Sequence, residues 1–134
     1  MEYLVGVILA LAVSIFATIV KFDRDRAFYP TVMIVIALIY GLFAVMGGSG
    51  QALAVESVFI LVFLVAAVLG FRRNLWIVAA ALFAHGIFDF FHASLISNPG
   101  VPVWWPMFCL TYDVVAAGYL AWLLQSSRAT AKPL

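Results

Sequence analysis

Apolar residues run almost without interruption through Tyr3–Val20, Phe28–Met46, Ala52–Phe71, Leu75–Ser97 and Val103–Gln125. A helix needs about 20 such residues to cross the hydrocarbon core of a bilayer. The pattern therefore predicts an all-α fold: five transmembrane helices in one compact bundle, a single domain over residues 1–134. The polar punctuation is sided. Lys21, Arg24, Arg26, Arg72, Arg73, Arg128 and Lys132 follow the first, third and fifth stretches, whereas Gly47–Gln51 and Asn98–Pro102 contain no Lys or Arg. Basic residues mark cytoplasmic loops, so the N-terminus is expected outside and the C-terminus in the cytoplasm, in a multi-pass arrangement in the cell (inner) membrane. Trp104, Trp105 and Tyr3 fall at the outer interface and Trp76, Trp122 and Tyr29 at the inner one, as aromatic belts require.

Composition agrees, with 67% hydrophobic and 10% charged residues against about 45–50% apolar in soluble domains. The first stretch carries Glu2 where a secretory signal has a basic segment, and its positive charges come after the apolar run. It is therefore expected to be retained as a membrane helix. The single Cys rules out an internal disulfide. A net charge of +1 conceals a basic inner face that suits anionic lipid headgroups. The lipid bilayer is the expected partner, and nucleic acid is not.

Chemistry must then lie within the spans or at their rim, where Glu56, Asp89 and Asp113 sit beside His85 and His92. An acid at mid-bilayer costs about 2.5–3.5 kcal/mol, so three need compensation on the order of 8–10 kcal/mol. Depth follows from about 1.5 Å per residue. Counted from the outer helix ends, His92 and Glu56 lie about five residues deep, Asp89 and Cys109 about six to eight, and His85 and Asp113 about ten to twelve. At about 100° per residue, His85, Asp89 and His92 share one helix face within about 60°. The third and fifth helices can flank the fourth and turn Glu56 and Asp113 towards it.

Two His with up to three carboxylates form a donor set for Zn, with Mn or Fe as alternatives. The candidate metal ligands are His85, Asp89, His92 and Asp113. His85 and His92, about 10.5 Å apart along the axis, strain to share one ion. Either part of the stripe joins Asp113 or Glu56 on a single ion, or Asp89 bridges two, one with His85 and Asp113 and one with His92 and Glu56. A bis-His haem is disfavoured, because both His project from one face of one helix. Cys109, one turn from Asp113, is either a soft ligand or a small core hydrophobe. Thr111 and Tyr112 face either the site or a partner helix, and Ser57 reads as a packing hydroxyl. Without a metal, the same groups could form a proton or ion relay, or hydrogen-bond simply to hold the bundle together.

Gly6, Ala10, Ser14 and Thr18 make a small-residue stripe on the first helix, read as an internal packing seam, with a homo-oligomer face as the alternative. Ala117 and Ala121 offer a similar stripe on the fifth. Pro99, Pro102 and Pro106 beside Trp104 and Trp105 make a stiff outer loop, and Gly47–Gly50 a flexible one that could act as a flap.

The run from His85 to His92, H-G-x-x-D-x-x-H, resembles a pattern of small polytopic bacterial membrane proteins, a resemblance that supplies no activity. His85, Asp89 and His92 are more distantly similar to the buried ligands of intramembrane zinc hydrolases related to alkaline ceramidases and adiponectin receptors. Those enzymes have seven spans and a paired H-x-x-x-H, both absent from this chain. Their resemblance implies zinc and the hydrolysis of a lipid amide. The leading functional expectation is a metal-dependent hydrolase acting on a lipid or amphipathic substrate from the outer leaflet. Glu56 or Asp113 would take the proton of a Zn-bound water. Phe83, Phe88, Phe90 and Phe91 would contact the apolar part of the substrate. The alternatives are a small proton or divalent-cation transporter and a subunit of a membrane complex. The inner halves of helices 3, 4 and 5 lack ionisable groups to continue a path, which weighs against transport.

Overall fold

The computed structural model describes residues 1–133. Its helices are α1 (Glu2–Val20), α2 (Phe28–Met46), α3 (Gly50–Arg73), α4 (Trp76–Leu95) and α5 (Trp105–Gln125), with one 3-10 turn at Phe22–Arg24. All five are long and apolar enough to cross a membrane, so the chain is a multi-pass membrane bundle. Differences from the sequence boundaries have local causes. Ser49 caps α3, its hydroxyl accepting the Ala52 N–H at 3.1 Å, so α3 starts at Gly50, two residues before the predicted Ala52. The far end of α3 runs on to Arg73, where Arg72 and Arg73 oppose the negative end of the helix dipole. Helix α4 stops at Leu95 because Ile96 is already extended, and α5 starts with Pro106 in its first turn, where a missing N–H costs nothing.

Helix α4 packs against α5, α3 and α2, and α1 packs along the outside of α5. The α1–α5 seam uses the predicted small residues: Gly6, Ala10 and Ser14 are buried, followed by Ala17. A Cβ on Gly6 would overlap Thr111 Oγ1 and lie 2.5 Å from the Phe108 carbonyl oxygen. Further along the seam the Thr18 and Tyr119 hydroxyls hydrogen-bond at 2.8 Å, so α1 and α5 run parallel. The stripe is thus consumed within the chain.

The two ends of the bundle are tied differently. At the basic end the Arg26 guanidinium donates to the carbonyls of Thr130 (2.6 Å), Ala131 (3.1 Å) and Phe71 (2.8 Å), and the Leu75 N–H donates to Ala131. At the opposite end the two uncharged loops meet glycine to glycine. A Cβ on Gly47 would come within 2.5 Å of the Gly100 nitrogen, and one on Gly100 would overlap the Phe43 carbonyl. The glycine loop expected as a flap is therefore seated on the proline loop.

Large apolar side chains such as Leu4, Ile8, Ile19, Val58, Leu61, Val62, Phe83 and Phe90 cover the outside, while Glu56, His85, Asp89, His92 and Asp113 are enclosed. That inversion suits lipid surroundings, since water would penalise so large an apolar surface.

Candidate functional site

Apart from Ser14, the buried polar side chains among the described residues are Glu56, His85, Asp89, His92 and Asp113, none more than 2% exposed. They are brought together as the depth count and shared face of α4 require, with α3 supplying Glu56 and α5 supplying Asp113. Two sub-sites result, and they divide the predicted ligands.

In the deeper one, His85 Nδ1 lies 2.6 Å from Asp113 Oδ2 and 3.5 Å from Asp89 Oδ2. The Cys109 thiol points at Asp113 Oδ2, 3.9 Å away. One ligand atom from each of His85, Asp89, Cys109 and Asp113 lies within 4.8 Å of the others, and all four side chains are buried. The spacings follow from helix geometry: His85 and Asp89 are i and i+4 on α4, and Cys109 and Asp113 are i and i+4 on α5. Two helix faces thus present two donors each to a common point. Gly86 allows the approach, since a Cβ there would lie 3.2 Å from Val114 and 3.3 Å from the Leu110 carbonyl. Around His85 the walls are aromatic, with the Phe63 ring edge-on at 4.7 Å.

In the shallower sub-site His92 Nε2 lies 2.6 Å from Glu56 Oε1, which also accepts the Asn98 amide at 3.0 Å. The same amide donates to the Tyr40 carbonyl at 3.1 Å, and Asn98 Oδ1 accepts the Gly100 N–H at 3.2 Å. Asn98 therefore latches the proline loop over the buried pair. His92 and Glu56, predicted as ligand and proton acceptor, lie outside the four-residue group. The single-ion arrangement with Asp113 is the one whose ligand atoms converge. The second ion of the bridged alternative has only the His92–Glu56 pair, already joined to each other.

Tyr40 connects the two halves. Its hydroxyl donates to Asp89 Oδ1 at 2.7 Å, and its ring stacks on His92 with centroids 4.0 Å apart and planes 11° from parallel. Sequence reasoning passed over Tyr40 and Asn98. The signal for Tyr40 was its depth: it lies six residues from the end of α2, as Asp89 does from the end of α4. Nothing in the sequence marked Asn98 beyond its place next to Pro99.

Three expectations need correction or completion. Of the phenylalanines expected around the site, only Phe88 is there, 9% exposed and edge-on to His92 at 5.4 Å. Phe83, Phe90 and Phe91 are 51%, 59% and 50% exposed, because a 100° turn per residue carries them away from the His85 face. Thr111 bonds the Phe108 carbonyl within its own helix, and Ser57 bonds that of Leu53, so both act as packing hydroxyls. Tyr112 and Cys109 line a lateral cavity of about 870 Å³ between α1, α2 and α5.

Three carboxylate oxygens, Asp89 Oδ2, Asp113 Oδ1 and Glu56 Oε2, are buried without a hydrogen-bond partner. Such atoms in a native interior demand an explanation. Two belong to the four-residue group, where a cation would supply the missing partner.

Comparison of the chain with known protein families, with curated proteins and with solved structures finds no match.

Proposed function

We propose that this chain is an intramembrane metalloprotein that holds one divalent ion, zinc foremost, on His85, Asp89 and Asp113 and uses it to hydrolyse an amphipathic substrate. The observation that carries the reading is the convergence of four buried donor atoms from α4 and α5 within 4.8 Å, with two carboxylate oxygens of the group unpartnered. His and carboxylate donors suit zinc, with manganese and iron also compatible.

A catalytic zinc keeps three protein ligands and an open position, whereas four protein ligands close the site. The fourth donor here, Cys109, also lines the lateral cavity. His85, Asp89 and Asp113 would hold the ion, and Cys109 is the member of the group that also borders the lateral cavity, through which an ester or amide could approach. Bound zinc supplies a nucleophilic water near neutral pH. The chain's own contribution is to hold that water's proton acceptor. The candidates are Asp113, inside the ligand group, and Glu56, in the neighbouring sub-site, each of which keeps one carboxylate oxygen (Oδ1 and Oε2) without a partner. Access through the side of the bundle replaces access from the aqueous end, which the Gly47 and Gly100 loops cover.

A second reading is favoured by a specific fact. Each His already has a carboxylate at 2.6 Å, so the cluster could serve as a metal-free polar lock between helices. Transport has less support: the buried ionisable groups among the described residues stop at mid-bundle.

Metal-loaded protein in mixed micelles is expected to cleave a long-chain ester or amide, to lose turnover on chelation and to regain it on zinc addition. Cys109→Ala is expected to keep both metal and turnover, whereas His85→Ala loses both. Metal binding that disappears with Cys109→Ala would indicate a closed four-ligand site and remove the hydrolytic half of the reading. Absence of turnover in loaded protein would do the same.

A further inference from the structure

The lateral cavity runs far beyond the Cys109 corner. It extends from Lys21 and Ala27 at the basic end, between α1 and α2, up to Leu9, Ile39 and Trp105. Twelve residues of helix separate Ala27 from Ile39, a length of about 18 Å, close to the ~15 Å that one leaflet contributes to a ~30 Å hydrocarbon core. The walls are aliphatic and aromatic along this length, with Val13, Val32, Val35 and Ile36 among them.

Polar character gathers at the mouth, where Lys21 and Asp25 both line the cavity, in a turn, Lys21–Arg26, that carries three bases against two acids. Asp23 accepts the Thr18 hydroxyl, and Asp25 accepts the Ala27 N–H at the start of α2. Both carboxylates are thus oriented by the turn and keep their charge. Arg26 is taken up by three backbone carbonyls. Lys21 has no ion-pair partner among the described residues. It is exposed in a left-handed conformation (φ 69°) as the C-cap of α1. Lys21, without an ion-pair partner, therefore lines the basic end of an apolar slot one leaflet deep.

We infer that this groove is a binding site for an anionic phospholipid of the leaflet at the basic end, one acyl chain lying between α1 and α2 and the phosphate resting on Lys21. Charge selects the headgroup, and the depth of the slot selects a single extended chain. The site does not depend on the metal centre, although its blind end borders Cys109, and it is read out without metal or turnover.

The test uses the full-length protein in detergent, incubated with equimolar phosphatidylglycerol and phosphatidylcholine of identical chains and examined by native mass spectrometry. Retention of one phosphatidylglycerol per chain is expected, favoured about five-fold over phosphatidylcholine, the selectivity that one basic side chain near a lipid surface confers. Lys21→Glu should abolish that preference and Lys21→Arg should keep it. Val35→Trp, at a lining position 54% exposed, should lower retention of both lipids while leaving the melting temperature unchanged. Equal retention of the two lipids, no retained lipid, or retention indifferent to Val35→Trp would each overturn the proposal. So would displacement of phosphatidylglycerol by equimolar free fatty acid, or occupation of the groove by a second copy of the chain.

Discussion

A Gly6→Leu chain is expected to lose the docking of α1 on α5 and to be recovered mostly as unfolded or aggregated protein. The cause is steric and backbone-level. Even a Cβ at this position would overlap Thr111 Oγ1 and come within 2.5 Å of the Phe108 carbonyl oxygen. The carbonyl belongs to the α5 backbone, which carries Cys109 and Asp113 and cannot retreat without moving the site. Overpacking of a tight core typically costs about 1–3 kcal/mol, and a branched side chain here exceeds what a small shift relieves. Gly118 supplies the control, because a Cβ there meets nothing within 4 Å. Gly118→Ala should be neutral or stabilising by up to about 1 kcal/mol, through helix propensity alone. Thermal unfolding and size-exclusion profiles in one detergent distinguish the two. Comparable melting of Gly6→Leu and wild type would contradict the α1–α5 seam.

Glu56→Ala is the second large effect. His92 and Asn98 both direct polar hydrogens at Glu56 Oε1, in a place where Glu56 is 0% and His92 2% exposed. Removing the acceptor leaves His92 buried without its partner. Leaving a buried polar group without its hydrogen-bond partner costs about 1–3 kcal/mol. Glu56→Gln, which keeps an acceptor oxygen, should recover most of that loss. Because Glu56 stands outside the convergent ligand group, Glu56→Gln should also retain the metal. Loss of metal from a well-folded Glu56→Gln protein would place Glu56 among the ligands.

These two variants also mark how far sequence reasoning carries. Helix number, and the gathering of the bases at one end of the bundle, were legible because apolar runs and loop charge are one-dimensional properties of the chain. The seam at Gly6 was legible because small residues every fourth position define one face. Pairing of His85 with Asp113 and of His92 with Glu56 was only partly legible. Counting residues sets depth and face, but partner choice depends on how α3 and α5 rotate about their axes. That rotation sends Glu56 to His92 and leaves Cys109 and Asp113 with His85 and Asp89, dividing six residues into a metal-like group of four and a capped pair. Tyr40 lay outside the depth count, which covers only the His, carboxylate and Cys side chains, although a hydroxyl at the same depth was available to Asp89. The outward turn of Phe83, Phe90 and Phe91 was predictable from the same 100° rule that aligned His85 with Asp89. Contact across loops, as between Gly47 and Gly100, has no periodic signature.

The metal centre is tested most directly by metal content per chain, measured on protein purified without a metal-binding tag, before and after loading with zinc, manganese and iron. The account predicts one ion per wild-type chain and none in folded His85→Ala or Asp113→Asn protein. His92→Ala, if folded, should keep its ion, because His92 lies outside the convergent group. No bound ion in the wild type after loading, or an ion that survives loss of both His85 and Asp113, would contradict the account and leave the buried cluster as a metal-free lock.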